Sequence, residues 1–310
     1  MPTAIEWTDS TWNPTTGCDR VSPGCAHCYA LTLARRLKAM GQPRYQKDGG
    51  KASGLGFGLT MHEDSLSLPL SWKKPRRVFV NSMSDLFHEE VTVDFIDRVF
   101  AVMALTPQHT YQILTKRPER MREYMNTLMS GHRNVALAAR LMVDSTETSK
   151  ECWSTSDEVL KALFRGPKGL TIEPLPNVWL GCTVENQHFA DERIPILLDT
   201  PAAVRFVSVE PMLGPVDLCN LPSVSGIGRY LDSLYLSEGS DLPARLDWVI
   251  VGGESGPKHR PFDPDWARSI VAQCREARVA AFVKQLGGLR PGTRLEDLPE
   301  DLRVREFPDG

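Results

Sequence analysis

No run of about eighteen apolar residues occurs in this 310-residue chain, so it offers no helix able to span a membrane. Its first residues, Met-Pro-Thr-Ala-Ile-Glu-Trp, lack the basic and apolar regions of a secretory signal, and a cytoplasmic protein without a membrane partner is expected. A strong charge of either sign is missing as well. The formal net charge of −3 gives no global electrostatic case for nucleic-acid binding, and the local cluster Lys73, Lys74, Arg76 and Arg77 reads as a solvated approach to a strand. Neither a GxGxxG fingerprint nor a P-loop lysine accompanies Gly252-Gly253-Glu254-Ser255-Gly256, so this stretch is weak evidence for a nucleotide. Its place after an apolar run still suits close backbone approach to a ligand. A disulfide framework is absent too: seven cysteines is an odd number, and Cys152, Cys182, Cys219 and Cys274 stand singly, as in a reducing compartment.

The remaining three cysteines, Cys18, Cys25 and Cys28, lie within eleven residues. Four would fill a structural zinc site or saturate a [4Fe–4S] cluster, whereas three leave one iron of a cubane open to chemistry. Gly17, Pro23 and Gly24 punctuate the stretch as a tight loop that can aim three thiolates at one centre, and Ala30 to Met40 then read as a helix. With His27 the loop also supplies a Cys3His set, so the alternative is a zinc-stabilised module that binds nucleic acid or protein without catalysis. Adjacent His27 and Cys28 would strain to ligate one tetrahedral ion, because neighbouring side chains in an extended loop point apart.

Downstream, the chain repeats a short apolar run that ends in polar residues and leads into a helical stretch. The runs are Val78–Asn81, Tyr111–Leu114, Val178–Gly181, Val204–Val207, Trp248–Val251 and Ala280–Val283, preceded by a short strand near Ile5–Trp12. Continuous apolar runs predict strands buried on both faces, as parallel sheets require, and the commonest spacing is near the roughly 30 residues of one βαβ unit. Between the first two runs, Thr92 can cap a crossover helix, with Phe95, Ile96, Val99, Phe100, Met103 and Ala104 as its buried stripe and Pro107 as its stop. Two longer intervals hold insertions at about 126–176, with helical stretches Val135–Val143 and Val159–Phe164, and at about 221–245. At 41% hydrophobic content, one domain over residues 1–310 is expected, as an α/β fold with six or seven parallel strands. It is either an open doubly wound sheet or a partial or complete TIM-type (β/α) barrel.

In either form function gathers beyond the carboxyl ends of the strands. Ser82, Asp85, Thr115, Lys116, Arg117, Thr183, Glu185, Asn186, Ser208, Glu210, Glu254, Ser255, Lys284 and Gln285 fall there, an acidic or basic residue after almost every strand. A shared active-site rim is expected. Lys116 and Arg117 fit either a clamp for a substrate anion or a structural pair bonded to Asp and Glu across the rim.

A three-cysteine loop after the first strand of such a fold resembles the radical S-adenosylmethionine enzymes, although the first gap here is six residues where their usual pattern is Cys-x3-Cys-x2-Cys. The chain as a whole resembles the phage and bacterial Gp37/Gp68 family (DUF5131). That resemblance rests on Glu6-Trp7-Thr8, Thr11-Trp12-Asn13-Pro14, Phe79 to Phe87, Leu114-Thr115-Lys116-Arg117-Pro118, Val184-Glu185-Asn186-Gln187, Phe206 to Pro211 and Val251 to Gly256. The resemblance implies the partial or complete TIM-type barrel and a [4Fe–4S] cluster on Cys18, Cys25 and Cys28. It implies S-adenosylmethionine chelated at the open iron, reductive cleavage to a 5′-deoxyadenosyl radical, and an external electron donor such as flavodoxin or ferredoxin. Ser82, Ser84 and Asp85 would lie near the methionine amino group, Glu185 at the ribose and His27 near adenine, with Glu210, Gly252, Gly253 and Glu254 as further cofactor contacts. The substrate is not readable: a nucleic-acid base or nucleotide is one permissible class, and a peptide or small metabolite is another.

Overall fold

The apolar runs form strands whose alternate residues divide between two faces. In the computed structural model, which describes residues 3–131, 135, 173–222, 230–231, 233–234, 244–289 and 292–308, seven strands make one sheet. They are β1 (Ser10–Trp12), β2 (Arg77–Val80), β3 (Thr110–Thr115), β4 (Val178–Thr183), β5 (Val204–Val209), β6 (Trp248–Gly252) and β7 (Ala280–Gln285). They pair in chain order and every pair is parallel. A doubly wound sheet needs a point where strand order reverses. None exists here, and the sheet curls into a half-barrel, a partial TIM-type architecture.

Winding in one direction keeps the crossover helices on one face. Val78, Val80, Ile113, Leu180, Val207, Val249 and Val283 point to that convex side, into a core shared with helices α2 (Val93–Leu105), α3 (Pro118–Met129), α4 (Gln187–Leu198) and α5 (Pro264–Ala277), while α1 (Tyr29–Ala39) lies beside the cysteine loop. The concave side is filled differently. Phe79, Trp179, Phe206, Trp248 and Phe282 come from five strands and pack with Trp7 as an aromatic floor. Trp248 is its hub, with ring centroids 5.6 Å from Phe206, 5.8 Å from Trp179 and 6.1 Å from Trp7. Gly181 makes room for this layer, because a Cβ there would lie 2.7 Å from the Phe206 ring.

Two local expectations change. Thr92 is the N-cap of α2, but its side chain makes no capping bond; its carbonyl instead accepts from Phe95 N (3.1 Å) and Ile96 N (3.2 Å). Helix α2 is also buried well beyond one stripe, with Asp97, Ala101 and Val102 enclosed, because the segments Glu63–Leu66 and Leu68–Ser71 and the Tyr124 side chain of α3 cover sides the sheet does not. Buried Asp97 is satisfied by Tyr124 Oη at 2.9 Å. The first insertion begins after α3 rather than within it. Apart from Val135, its two expected helical stretches lie outside the described residues, as does Cys152. In the second, Leu221–Pro222 pairs antiparallel with Tyr230–Leu231.

Candidate functional site

The cysteine loop is tied off at its base before any cysteine is placed. Thr15–Thr16 pairs antiparallel with Thr60–Met61, so residues 17–59 leave and rejoin the sheet at one point. Gly17 turns the chain there at φ +89°, and a Cβ would sit 2.4 Å from the Gly58 carbonyl oxygen, so only glycine fits. Pro23–Cys25 forms one 3-10 turn, and Cys28 starts α1 as its N-cap without using its thiol to cap. All three thiols are free and partly buried.

Side chains from three other strand ends then hold this loop. After β3, Arg117 Nη1 donates to Cys18 Sγ at 3.6 Å and to Asp85 Oδ2 at 3.1 Å. After β4, Glu185 lies wholly buried beneath the loop: Ser22 Oγ donates to its Oε1 at 2.5 Å, Arg193 Nη1 to its Oε2 at 3.2 Å, and Lys116 Nζ stands 3.7 Å away. Gly24 is required by that contact, since a Cβ would meet Glu185 Oε1 at 2.4 Å. After β6, Glu254 Oε2 is 2.8 Å from His27 Nδ1, and Arg260 bonds both Glu254 oxygens while its Nη1 donates to the Pro23 carbonyl at 3.0 Å.

Cys18 and Glu254 are among the groups whose pKa values are displaced. Burial, aided by the nearby Asp85 carboxylate, pushes the Cys18 thiol up to about 12, with Arg117 opposing the rise. Burial would also raise Glu254, but the Arg260 guanidinium and backbone N–H, together with His27, overcome it and hold the carboxyl at about 2.

The rim is therefore real, but most of its acidic residues are occupied by this chain's own donors. Asp85 braces two strand ends, accepting from Phe87 N, Thr115 Oγ1, Lys116 N and Arg117 Nη1. Ser84 Oγ bonds Thr15, and Ser82 Oγ donates to Asn13. His27 faces Glu254, and Glu185 faces inward under the loop instead of standing open to a ribose. Glu210 pairs with Lys284 at 2.6 Å beside Gly252. Gly253 is explained by packing, since a Cβ would come 2.6 Å from Gly287 N. Lys116 and Arg117 take the structural of their two options. Lys73–Arg77 lies at the amino end of β2, opposite the cysteine loop, where Arg76 stacks on Trp72 and Arg77 on Phe307. Ser22, Arg193 and Arg260 had no motif or spacing to mark them; their importance comes from partners far away in sequence.

A single zinc ion needs its ligand atoms about 2.0–2.3 Å from one point. Among the described residues, no three His, Cys, Asp or Glu side chains gather closely enough to hold an ion. With His27 turned to Glu254, the Cys3His arrangement is not favoured. A cubane takes one thiolate per iron, so its ligands need not meet at one point, and Cys18, Cys25 and Cys28 are the free, partly buried thiols of the clamped loop that could hold one. Fold and site thus define an α/β half-barrel protein with a three-cysteine loop at the carboxyl rim. The chain belongs to the family described as Protein of unknown function (DUF5131), whose model matches residues 2–301. Searches of curated proteins and of solved structures found no match.

Proposed function

We propose that the protein is a radical S-adenosylmethionine enzyme in which Cys18, Cys25 and Cys28 hold a [4Fe–4S] cluster. The observation that carries this reading is the set of three free thiols on one loop, fixed at the carboxyl rim of a parallel half-barrel. When bound, cluster and cofactor supply a 5′-deoxyadenosyl radical by one-electron cleavage of the sulfonium bond, with flavodoxin or ferredoxin as external donor. A nucleic-acid base or nucleotide is the proposed substrate class.

The chain's own residues do the rest. Arg117 donates to Cys18 Sγ and favours its deprotonated form, which a thiol held at about 12 by burial needs before it can ligate iron. Glu185 through Ser22, and Glu254 through His27 with Arg260, fix the loop between its first and last cysteines. The aromatic floor closes the lower half of the concave face to water and confines ligands to its upper half, where Glu210 and Lys284 remain partly accessible. Asn81 Nδ2, buried after β2 and unpartnered, is available to the cofactor carboxylate.

Anaerobic reconstitution tests the reading. It should give about four iron and four sulfide per chain and a brown chromophore. Addition of S-adenosylmethionine and dithionite should then yield 5′-deoxyadenosine. Cys18→Ala, Cys25→Ala and Cys28→Ala should each abolish the chromophore, and Cys219→Ala should keep it. Full iron content in any of the three loop variants refutes the assignment.

A further inference from the structure

Helix α1 carries two apolar faces, and only one of them is buried. Ala30, Leu31 and Ala34 face the protein. Leu33, Arg36 and Met40 lie on the opposite side and continue a stripe, at spacings of four, three and four residues, from Tyr29, whose ring is half-exposed while its hydroxyl reaches back to the barrel rim. Tyr29 is 55% exposed, Leu33 39% and Met40 62%, and the stripe begins at the residue after Cys28. Scattered exposed leucines need no explanation, but an aligned aromatic, leucine and methionine beside a functional loop form a patch. The Tyr29 ring is already fixed, because its hydroxyl donates to the Ser82 carbonyl at 2.5 Å. A fixed aromatic loses little further freedom on being covered.

The segment that carries the stripe is mostly cationic. Between residues 18 and 58, Lys and Arg outnumber Asp and Glu by seven to two, within a chain of net charge −3. Lys38 and Arg44 are paired with Asp48 and Asp64, whereas exposed Arg20, Arg35, Arg36 and Lys51 form no ion pair with another described residue. Tyr, Leu and Met with Arg36 among them and Arg35 beside it on the same helix have the composition of a protein interface, and its sign calls for an acidic partner. A single-stranded nucleic acid would need successive aromatic platforms; the stripe has one.

We infer that the exposed stripe of α1, with Arg35 and Arg36 of the same helix, is the docking surface for a small acidic electron-carrier protein, delivering its electron to a cluster held by the adjoining loop. The inference rests on the cluster reading above. The carrier is oxidised by one electron and the cluster reduced by one; no bond forms or breaks.

The test uses reconstituted full-length protein and a purified acidic flavodoxin. Wild-type protein should bind reduced flavodoxin with an affinity that falls as salt rises, since exposed charges are screened over about 8 Å at physiological ionic strength. The double variant Leu33→Glu/Arg36→Glu should bind at least about tenfold more weakly and be reduced correspondingly more slowly by flavodoxin. It should keep wild-type iron content, melting temperature and rate of reduction by dithionite. Leu68→Glu, an exposed leucine outside this surface, should match wild type throughout. Unchanged flavodoxin affinity in the double variant overturns the docking surface while leaving the cluster reading intact. Loss of binding to a single-stranded oligonucleotide, with flavodoxin transfer unchanged, reassigns the surface and overturns it equally. Failure of wild-type protein to assemble any cluster overturns the underlying reading, and the carrier role with it.

Discussion

Replacing Ser22 with alanine isolates one tether of the cysteine loop. Its hydroxyl donates at 2.5 Å to Glu185, a carboxylate with no solvent exposure, so water cannot replace it unless the loop opens. A hydrogen bond to a charged group is worth about 1.5–3 kcal/mol, and Ser22→Ala should raise the loop-opening equilibrium about ten- to a hundredfold. Hydrogen exchange reads this directly, since the amides of Cys25, Ala26 and Cys28 are each bonded within the loop, to Ser22, Pro23 and Cys25 respectively. Glu185→Ala should behave differently. It strips a buried partner from Arg193, itself only 3% exposed, and should cost about 3–5 kcal/mol of global stability in urea. A cycle of Ser22→Ala, Glu185→Gln and the double variant then separates tether from scaffold. Coupling below about 0.5 kcal/mol in loop exchange would mean that the contact does not restrain the loop.

Three further outcomes are expected. Glu254 is held at about 2 against an ordinary 4.5, so its contribution is complete above about 4.5 and is lost as pH falls toward 2; at roughly 1.4 kcal/mol per unit this is about 3 kcal/mol. Wild type should exceed Glu254→Gln in urea stability by about that amount at neutral pH and by little near pH 2, and a gap independent of pH would count against the assignment. In metal-free protein at pH ~8, Cys18 should alkylate about a thousandfold more slowly than an unfolded cysteine, because only its thiolate reacts; peptide mass spectrometry giving equal rates would contradict its burial. Gly181→Ala should lower stability by about 1–3 kcal/mol in thermal melts, since the added methyl meets both the Phe206 ring and its carbonyl oxygen.

The strands were legible because each run is apolar on both faces, which leaves few other places to put it. Whether they made an open sheet or a barrel depended on strand order, a nonlocal property no single run encodes. The cysteines were legible as a unit from spacing alone. The carboxylates were legible only as a rim: a sequence shows that Glu185 follows a buried strand but not that Ser22, 163 residues earlier, reaches it first. His27 and Glu254, 227 residues apart, are the same case. Asn81 shows how a motif can be architectural: it takes φ +62°, a turn conformation asparagine tolerates, so that the chain leaving β2 can bend beneath the cysteine loop.

Pairing within the rim also explains why the cationic excess lies outside it. Asp85 is matched by Arg117, Glu185 by Arg193 and Lys116, Glu210 by Lys284, and Glu254 by Arg260. With Glu89, which Arg117 Nε also bonds at 3.0 Å, five carboxylates thus face five cations, and Arg117 already touches Cys18. The rim's charges are thus matched among themselves, so it has no cationic excess with which to recruit an acidic partner. Arg20, Arg35, Arg36 and Lys51 have no such partners among the described residues and are exposed. Fixed, paired charges inside suit positioning, whereas unpaired charges outside suit encounter, and salt weakens the second role far more than the first. Raising ionic strength should therefore weaken carrier docking on α1 well before it loosens the cysteine loop, measurable as carrier affinity and loop amide exchange in the same buffers. Loss of both at the same salt concentration would show that the rim and α1 form one electrostatic unit, not two.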